Sequence, residues 1–149
     1  MSGIIGTIGS RSAIIGVNEL DYEEGTWTPN VTAASGSYNN FLVRSGTYTI
    51  IGKMIFTRCA IQLGATAVGG TGNPTGRIYY TLPVVPKQLA SGGNDVDVIG
   101  YGSERQATGK LFQGAWERGN VRMRLSDYNN GDTDGSSYDY VLHATYEIN

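Results

Sequence analysis

The residue types that most often carry catalysis are scarce in this sequence, which contains a single histidine, His143, and a single cysteine, Cys59. Asp139 and Glu147 each stand four positions from His143 on the same face of the predicted strand. A general base needs a nucleophile and an orienting partner, and the sequence shows neither for His143. No serine of the sequence lies in a Gly-x-Ser-x-Gly elbow. We therefore interpret His143 as a surface histidine of a sheet and Cys59, which lies in an apolar run, as a buried structural thiol.

The segment from Asp127 to Gly135 is rich in the oxygen ligands that calcium prefers. A calcium loop of the EF-hand type requires an oxygen ligand at its fifth position, glycine at its sixth and glutamate at its twelfth. This segment has Gly131, Asp132 and Tyr138 at those positions, so it fails the pattern. It predicts a solvated hairpin loop, with an irregular calcium site as the alternative.

Glu23 and Glu24, with Asp21 nearby, could be considered as the carboxylate pair of a glycosidase. Adjacent residues of an extended chain point to opposite faces, so these two glutamates make a poor catalytic pair. The sequence also lacks a phosphate-binding glycine loop, a metal-ligand spacing and a dinucleotide-binding fingerprint. It therefore predicts that the protein is not an enzyme and that it uses no catalytic residue, cofactor or metal.

Composition excludes further classes of function. The 149 residues include 13 acids and 11 bases, for a formal charge of −2, and no basic run is present. Because a general nucleic-acid binder needs a basic footprint, we expect no nucleic-acid partner. No apolar stretch approaches the roughly 20 residues of a membrane helix, so we expect no membrane partner. A lone cysteine cannot form an internal disulfide, which fits assembly in a reducing cytoplasm.

The elements that would position these residues are β-strands, because glycine and proline interrupt the chain too often for helices. In the C-terminal run every second residue is apolar or aromatic, which is the pattern of a half-buried strand. Together with glycine-bounded runs elsewhere, about eight short strands are predicted, at residues 26–32, 46–51, 53–63, 77–82, 95–101, 109–116, 120–125 and 136–149. We predict an all-β fold, an antiparallel jelly-roll-like sandwich that forms a single domain over residues 19–149.

The first 18 residues contain a short internal repeat. Ser2-Gly-Ile-Ile-Gly6 is echoed ten residues later by Ser12-Ala-Ile-Ile-Gly16. Isoleucine pairs framed by glycines cannot form an amphipathic helix, and they are too apolar for a solvated tail. We expect residues 1–18 to form an extended arm whose isoleucines contact a partner, with a flexible terminus as the alternative. The isoleucines that would make this contact are Ile4, Ile5, Ile14 and Ile15.

Tyrosine is the most abundant aromatic residue, with ten copies. It suits surfaces where one end of the side chain is buried and the other is wet, as in subunit interfaces and glycan-binding platforms. Several tyrosines flank the acidic loop near the C-terminus, where they could form an exposed tip. The residues of this candidate tip are Tyr128, Asp132, Asp134, Tyr138 and Tyr140.

The segment Glu19-Leu-Asp-Tyr-Glu-Glu-Gly-Thr-Trp-Thr-Pro29 resembles the opening of many small β-rich phage virion modules, which are labelled tail-fibre or receptor-binding domains. The runs Ser45–Lys53 and Ile78–Pro86 are similar to later elements of the same modules, and the glycine-framed arm also resembles short phage proteins of this type. We expect a folding role for the opening motif. Trp27 would be buried, and Pro29 would lie at a sheet edge where its missing N–H does no harm.

The resemblance implies a jelly-roll-like domain that assembles as a homotrimer on a virion surface, built in the host cytoplasm. A single small domain with an apolar arm favours a capsid decoration, or cement, protein that stabilises the head shell. Its partners would be copies of itself and the major capsid protein or another virion protein. The alternative is a tail-fibre or fibre-tip protein that recognises a host surface glycan, and a small glycan-cleaving enzyme is a third hypothesis.

Overall fold

The computed structural model describes residues 21–38, 41–63, 75–88, 96–105, 109–117, 119–127, 129 and 139–149. Within these ranges the chain forms nine β-strands and no helix, so it contains no helix that could cross a membrane. The prediction of an all-β fold is therefore confirmed. The strands are β1 (Tyr22–Trp27), β2 (Val31–Ser35), β3 (Phe41–Ile51), β4 (Met54–Leu63), β5 (Thr75–Thr81), β6 (Val96–Glu104), β7 (Leu111–Glu117), β8 (Arg122–Asp127) and β9 (Asp139–Glu147).

All nine strands belong to one antiparallel sheet, in the order β1-β3-β4-β9-β6-β7-β8-β5-β2. Strands β6 to β9 form a Greek key, because β9 returns to pair with β6 beyond the β6-β7-β8 meander. The two edge strands, β1 and β2, are consecutive in sequence, so the sheet must curl to bring its edges together. The indole N–H of Trp27 in β1 donates to the carbonyl of Thr81 in β5, 3.1 Å away, across this closing edge. The jelly-roll connectivity stays a prediction.

The inner face of the curled sheet forms the hydrophobic core. Alternate residues of β4 point inward, and Ile55, Cys59, Ile61 and Leu63 are all buried. Strand β9 shows the same alternation, with Tyr140, Leu142, Ala144 and Tyr146 buried. The inward parity predicted for the C-terminal strand is therefore confirmed, and β4 has the same period of two, because a sheet with one solvated face selects apolar residues at alternate positions.

The boundaries of several strands differ from those predicted. The predicted strand at residues 26–32 is divided between β1 and β2, with Thr28, Pro29 and Asn30 between them. Proline has no N–H for a ladder hydrogen bond, which explains why pairing stops here. Pro29 is buried in this connection between the two edge strands. The ring of Trp27 is half-buried and packs against the core.

Candidate interaction surface

The outer face of the sheet carries a contiguous set of apolar side chains on β1, β3 and β4, which we call the apolar patch: Tyr22, Ile51, Met54 and Phe56. Tyr22 lies directly opposite Ile51, and Ile51 lies opposite Met54. Their side chains are 59%, 38% and 39% exposed, and Phe56 is 45% exposed. Large apolar side chains that adjoin one another on a solvated face are typical of a surface that contacts another molecule.

A second outer-face feature is a row of side chains across four strands, which we call the aromatic row: Arg58, His143, Tyr101 and Gln113. Tyr101 is 68% exposed, and its ring stacks on His143 with ring centres 5.3 Å apart and planes at 17°. Asp139 instead forms an ion pair with Arg105, 3.3 Å away, and Glu147 pairs with Lys87. His143 therefore has an aromatic ring as its neighbour rather than an orienting carboxylate, so the geometry is not that of a general base.

Three arginines share the outer face of β5 and β8, and we call this surface the arginine face: Arg77, Arg122 and Arg124. Ile78 and Tyr80 of β5 and Met123 and Leu125 of β8 are buried, so the arginines occupy the opposite parity. The guanidinium of Arg122 lies 4.3 Å from the ring centre of Tyr79 and 3.0 Å from the carboxylate of Glu117. The sequence analysis predicted neither the aromatic row nor the arginine face, although Arg122 and Arg124 alternate with apolar residues in the sequence.

The carboxylates considered as a glycosidase pair lie on the edge strand β1. Glu23 accepts a hydrogen bond from the hydroxyl of Tyr48, 2.7 Å away, and Glu24 accepts one from the hydroxyl of Tyr22. These hydrogen bonds raise the pKa of the Tyr48 and Tyr22 hydroxyls. Both glutamates are exposed and occupy successive positions of an extended strand. Since they face opposite sides of β1, the arrangement does not suit glycoside cleavage.

Most residues of the predicted binding segments lie outside the described residues. These are Ile4, Ile5, Ile14 and Ile15 of the arm and Tyr128, Asp132, Asp134 and Tyr138 of the candidate tip. The placement of Tyr140 at an exposed tip is wrong, because its side chain is 1% exposed and packs against Phe112 in the core. Its inward parity in β9 outweighs its closeness in sequence to the acidic loop. Asp127, at the start of that loop, accepts a hydrogen bond from the backbone N–H of Asn129, 3.0 Å away.

Besides the core tyrosines, Cys59 and Glu104 are ionisable side chains that the described strands bury on the inner face. Burial raises the pKa of the Cys59 thiol to about 12, so the nucleophilic thiolate is disfavoured. Glu104, at the end of β6, is 1% exposed, and its carboxylate accepts a hydrogen bond from the N–H of Gly109, 3.1 Å away. The backbone N–H of Glu104 also donates to the carbonyl of Lys110. Glu104 thus supports the β6–β7 connection, a role that the sequence pattern did not indicate.

Among the described residues, no group of three or more His, Cys, Asp or Glu side chains is placed to hold a metal ion. The site residues that the structure does bring together are those of the apolar patch, the aromatic row and the arginine face, all on the solvated side of one sheet. No family model, no curated protein and no solved structure matches this chain. The surface itself is therefore the basis on which a function can be argued.

Proposed function

We propose that this chain is a phage virion structural protein, a homotrimeric capsid decoration protein that stabilises the head shell. The observation that supports the proposal most directly is the apolar patch. A wide, regular sheet offers an apolar face to a partner while its other face forms the core of the domain. A protein of this kind works through contact area, and its function needs no reactive group.

The opening motif supplies independent support for the virion assignment. Its residues Tyr22 to Trp27 form β1, which places Tyr22 in the apolar patch and packs the half-buried Trp27 against the core. The motif therefore combines a folding role with a contact role. The low charge of the chain also suits a surface that must lie close to neighbouring subunits, since desolvating charged groups is costly.

A second candidate function is recognition of a host surface glycan by a tail fibre or fibre tip, and the aromatic row favours it. An exposed tyrosine ring can pack on the apolar face of a sugar, while neighbouring side chains bind its hydroxyl groups. Arg58 and Gln113 lie on either side of the His143–Tyr101 stack and could donate such hydrogen bonds. In this candidate the row, rather than the apolar patch, is the binding surface.

Binding to shells of the encoding phage, purified from a strain that lacks this gene, tests the proposal. Protein retained on sedimented shells is quantified for the full chain and for Phe56→Glu. We expect the full chain to bind and to raise the temperature at which the shells rupture. Phe56→Glu should lose at least tenfold in affinity, since a charge in an apolar contact costs more than about 1.4 kcal/mol.

Two further variants separate the candidates. Leu111→Glu places the same charge at a side chain that is 72% exposed on β7, and it should bind shells normally. Tyr101→Ala should also bind shells normally but should lose attachment to host cells if the chain is a receptor-binding protein. Shell binding that is absent, or that survives Phe56→Glu, would contradict a decoration role for the apolar patch.

A further inference from the structure

A small cleft lies at the end of the sheet where β2 and β8 begin and β5 ends, and we call it the polar cleft. Tyr80 and Met123 of these strands are buried, and the residues that alternate with them line the cleft on the outer face. Its volume is about 230 Å³, below the roughly 300–1,000 Å³ of sites for drug-sized ligands, so it suits a single small ring. The residues that define it are Asn30, Thr32, Tyr79, Thr81, Val121 and Arg122.

Hydrogen bonds of the backbone hold the two sides of the polar cleft in place. The N–H of Thr81 donates to the carbonyl of Asn30, 3.0 Å away, and the N–H of Asn30 donates to the hydroxyl of Thr81, 2.9 Å away. On the other side, the N–H of Leu82 donates to the carbonyl of Val121, 2.8 Å away. A site that is formed before its ligand arrives loses little conformational freedom on binding.

Three side chains of the polar cleft have polar groups to offer a ligand. Those of Asn30, Thr32 and Tyr79 form no hydrogen bond with another residue in the part of the chain that the structure describes. Thr32 lies directly opposite Tyr79 in the β2–β5 register. Together the three residues supply one amide and two hydroxyl groups, each of which can both donate and accept hydrogen bonds.

The charge of the polar cleft favours a neutral ligand. Arg122 contributes a cation, but the carboxylate of Glu117 lies 3.0 Å from its guanidinium and balances it. The same guanidinium lies 4.3 Å from the ring centre of Tyr79, which fixes the ring beside it. Val121, which is 44% exposed, supplies an aliphatic surface. A purely apolar ligand would leave the amide and hydroxyl groups unpaired, so the ligand must itself carry hydroxyl groups.

We propose that the polar cleft binds one neutral sugar ring. The hydroxyl groups of the ring exchange hydrogen bonds with Asn30, Thr32 and Tyr79, and its C–H groups pack on Val121. This site is separate from the aromatic row, and its strands β2, β5 and β8 lie at the opposite end of the strand order from the apolar patch. The inference goes beyond the proposed function and does not depend on it, because contact with a shell needs no sugar site.

Amide chemical shifts of the isotope-labelled full chain, titrated with sugars, test the proposal. The probes are glucose, galactose, mannose and N-acetylglucosamine, each as the free sugar and as its methyl glycoside. We expect at least one to shift the amides of Thr32 and Tyr79, with a dissociation constant in the millimolar range because one ring offers few contact atoms. Binding of either form supports the cleft, and binding of the glycoside assigns it to residues of a glycan chain.

Two variants remove single hydroxyl groups from the polar cleft. Tyr79→Phe keeps the ring beside Arg122, and Thr32→Val keeps the shape of the side chain. Each should weaken sugar binding about fivefold, the range expected for one hydrogen bond. Thr145→Val is the matched control, because Thr145 is exposed on β9 away from the cleft, and it should bind sugar normally. A dispersed amide spectrum shows that each variant is folded.

Three results would overturn the proposal. The first is the absence of any shift with these sugars up to about 50 mM. The second is a loss of binding in Tyr101→Ala but not in Tyr79→Phe, which would assign the sugar to the aromatic row. The third is tighter binding of glucuronate than of glucose, which would show that the ligand is an anion. All of these leave shell binding untested and intact, so the polar cleft can fail while the proposed function stands.

Discussion

At the scale of single residues, Trp27 and Gly46 form one interlocked contact. They face each other in the β1–β3 register, and a Cβ atom added at Gly46 would lie 2.5 Å from the Trp27 ring. The indole N–H also donates to Thr81, which holds the ring against the closing edge of the sheet. We expect Trp27→Ala to lower the free energy of unfolding by about 3 kcal/mol, the low end for a large aromatic because the ring is half-buried. Urea denaturation measures this loss, and a value below about 1 kcal/mol would contradict the packing role.

The same contact predicts a non-additive pair of substitutions. Gly46→Ala should destabilise the protein because the new methyl group overlaps the Trp27 ring and forces it or the strand to move. In a chain that also carries Trp27→Ala the obstacle is gone, so the double variant should lose less stability than the sum of the two single losses. The interaction energy is obtained from the four urea curves. Additive losses would show that the ring does not restrict position 46.

Tyr140 illustrates what the sequence could and could not decide about a residue. The alternation of Leu142, Ala144 and Tyr146 places it on the inward parity of β9, and this parity is observed. Its closeness in sequence to the acidic loop suggested an exposed tip, and that was wrong. Periodicity reports which face a side chain occupies, so it is the stronger guide wherever the residue lies within a strand.

At the scale of strands, two glycines of β6 allow close approach to β9. A Cβ added at Gly100 would overlap the carbonyl of His143, and one added at Gly102 would lie 2.6 Å from the carbonyl of Val141. Both obstacles are backbone atoms, which cannot move without displacing β9. We therefore expect Gly100→Ala and Gly102→Ala each to reduce stability by more than about 2 kcal/mol, beyond the usual cost of a surface substitution.

Thermal unfolding followed by circular dichroism measures this effect. Ser103→Ala is the matched control, because Ser103 lies between the β6 bulge and the strand end on the outward parity, and it should change the melting temperature little. If Gly100→Ala and Gly102→Ala change the melting temperature as little as Ser103→Ala does, β6 and β9 do not lie as close together as the structure places them.

The strands themselves were largely predictable, and their order was not. Alternation in β4 and β9 is a local property that the sequence displays directly. The pairing of β9 with both β4 and β6 joins residues that are far apart in the chain, and no local pattern encodes which distant strands will meet. The prediction of one strand at residues 26–32 was wrong for a simpler reason. Pro29 has no N–H for the ladder, so the run is divided into two strands.

The candidate surfaces were also hidden from sequence analysis by the unknown order of the strands. Arg122 and Arg124 alternate with buried residues, so their outward direction was visible in the sequence. Their closeness to Arg77 depends on the pairing of β5 with β8, which the sequence did not predict. Likewise, Tyr101 and His143 stack only because β6 lies beside β9. A surface assembled from several strands becomes visible only when their order is known.

At the scale of the whole molecule, the buried cysteine and tyrosine side chains predict that the protein loses stability at alkaline pH. Burial raises the pKa of Cys59 from 9.0 and of Tyr38 from 10.0, each to about 12, and it also raises the pKa of Tyr80 and Tyr146. Between about pH 9 and 12 the unfolded chain has therefore released protons that the folded chain still holds. Stability is fully present below pH 9 and falls as the pH rises through this window.

Urea unfolding at pH 8, 9.5 and 10.5 measures the alkaline loss. One such group contributes at most about 1.4 kcal/mol per pH unit, so several buried groups should give a steep decline above pH 10. In Cys59→Ala the decline between pH 9 and 10 should be shallower, because the phenols of the buried tyrosines titrate later. A free energy of unfolding that stays constant up to pH 10.5 would show that these groups are exposed to solvent.

The last prediction concerns the arm, residues 1–18, and the whole assembly. If the arm contacts the shell, its isoleucines have no acceptor within the trimer, and the trimer is held by the sheet alone. Light scattering should then give trimers for the full chain and for a chain that lacks residues 1–18, while only the full chain binds shells. If deletion of the arm converts the trimer to monomers, the arm joins the subunits to one another. That result would favour the alternative function, a fibre-tip protein that binds the host. Monomers for both chains would contradict a trimeric virion protein, because neither the arm nor the sheet would then join the copies.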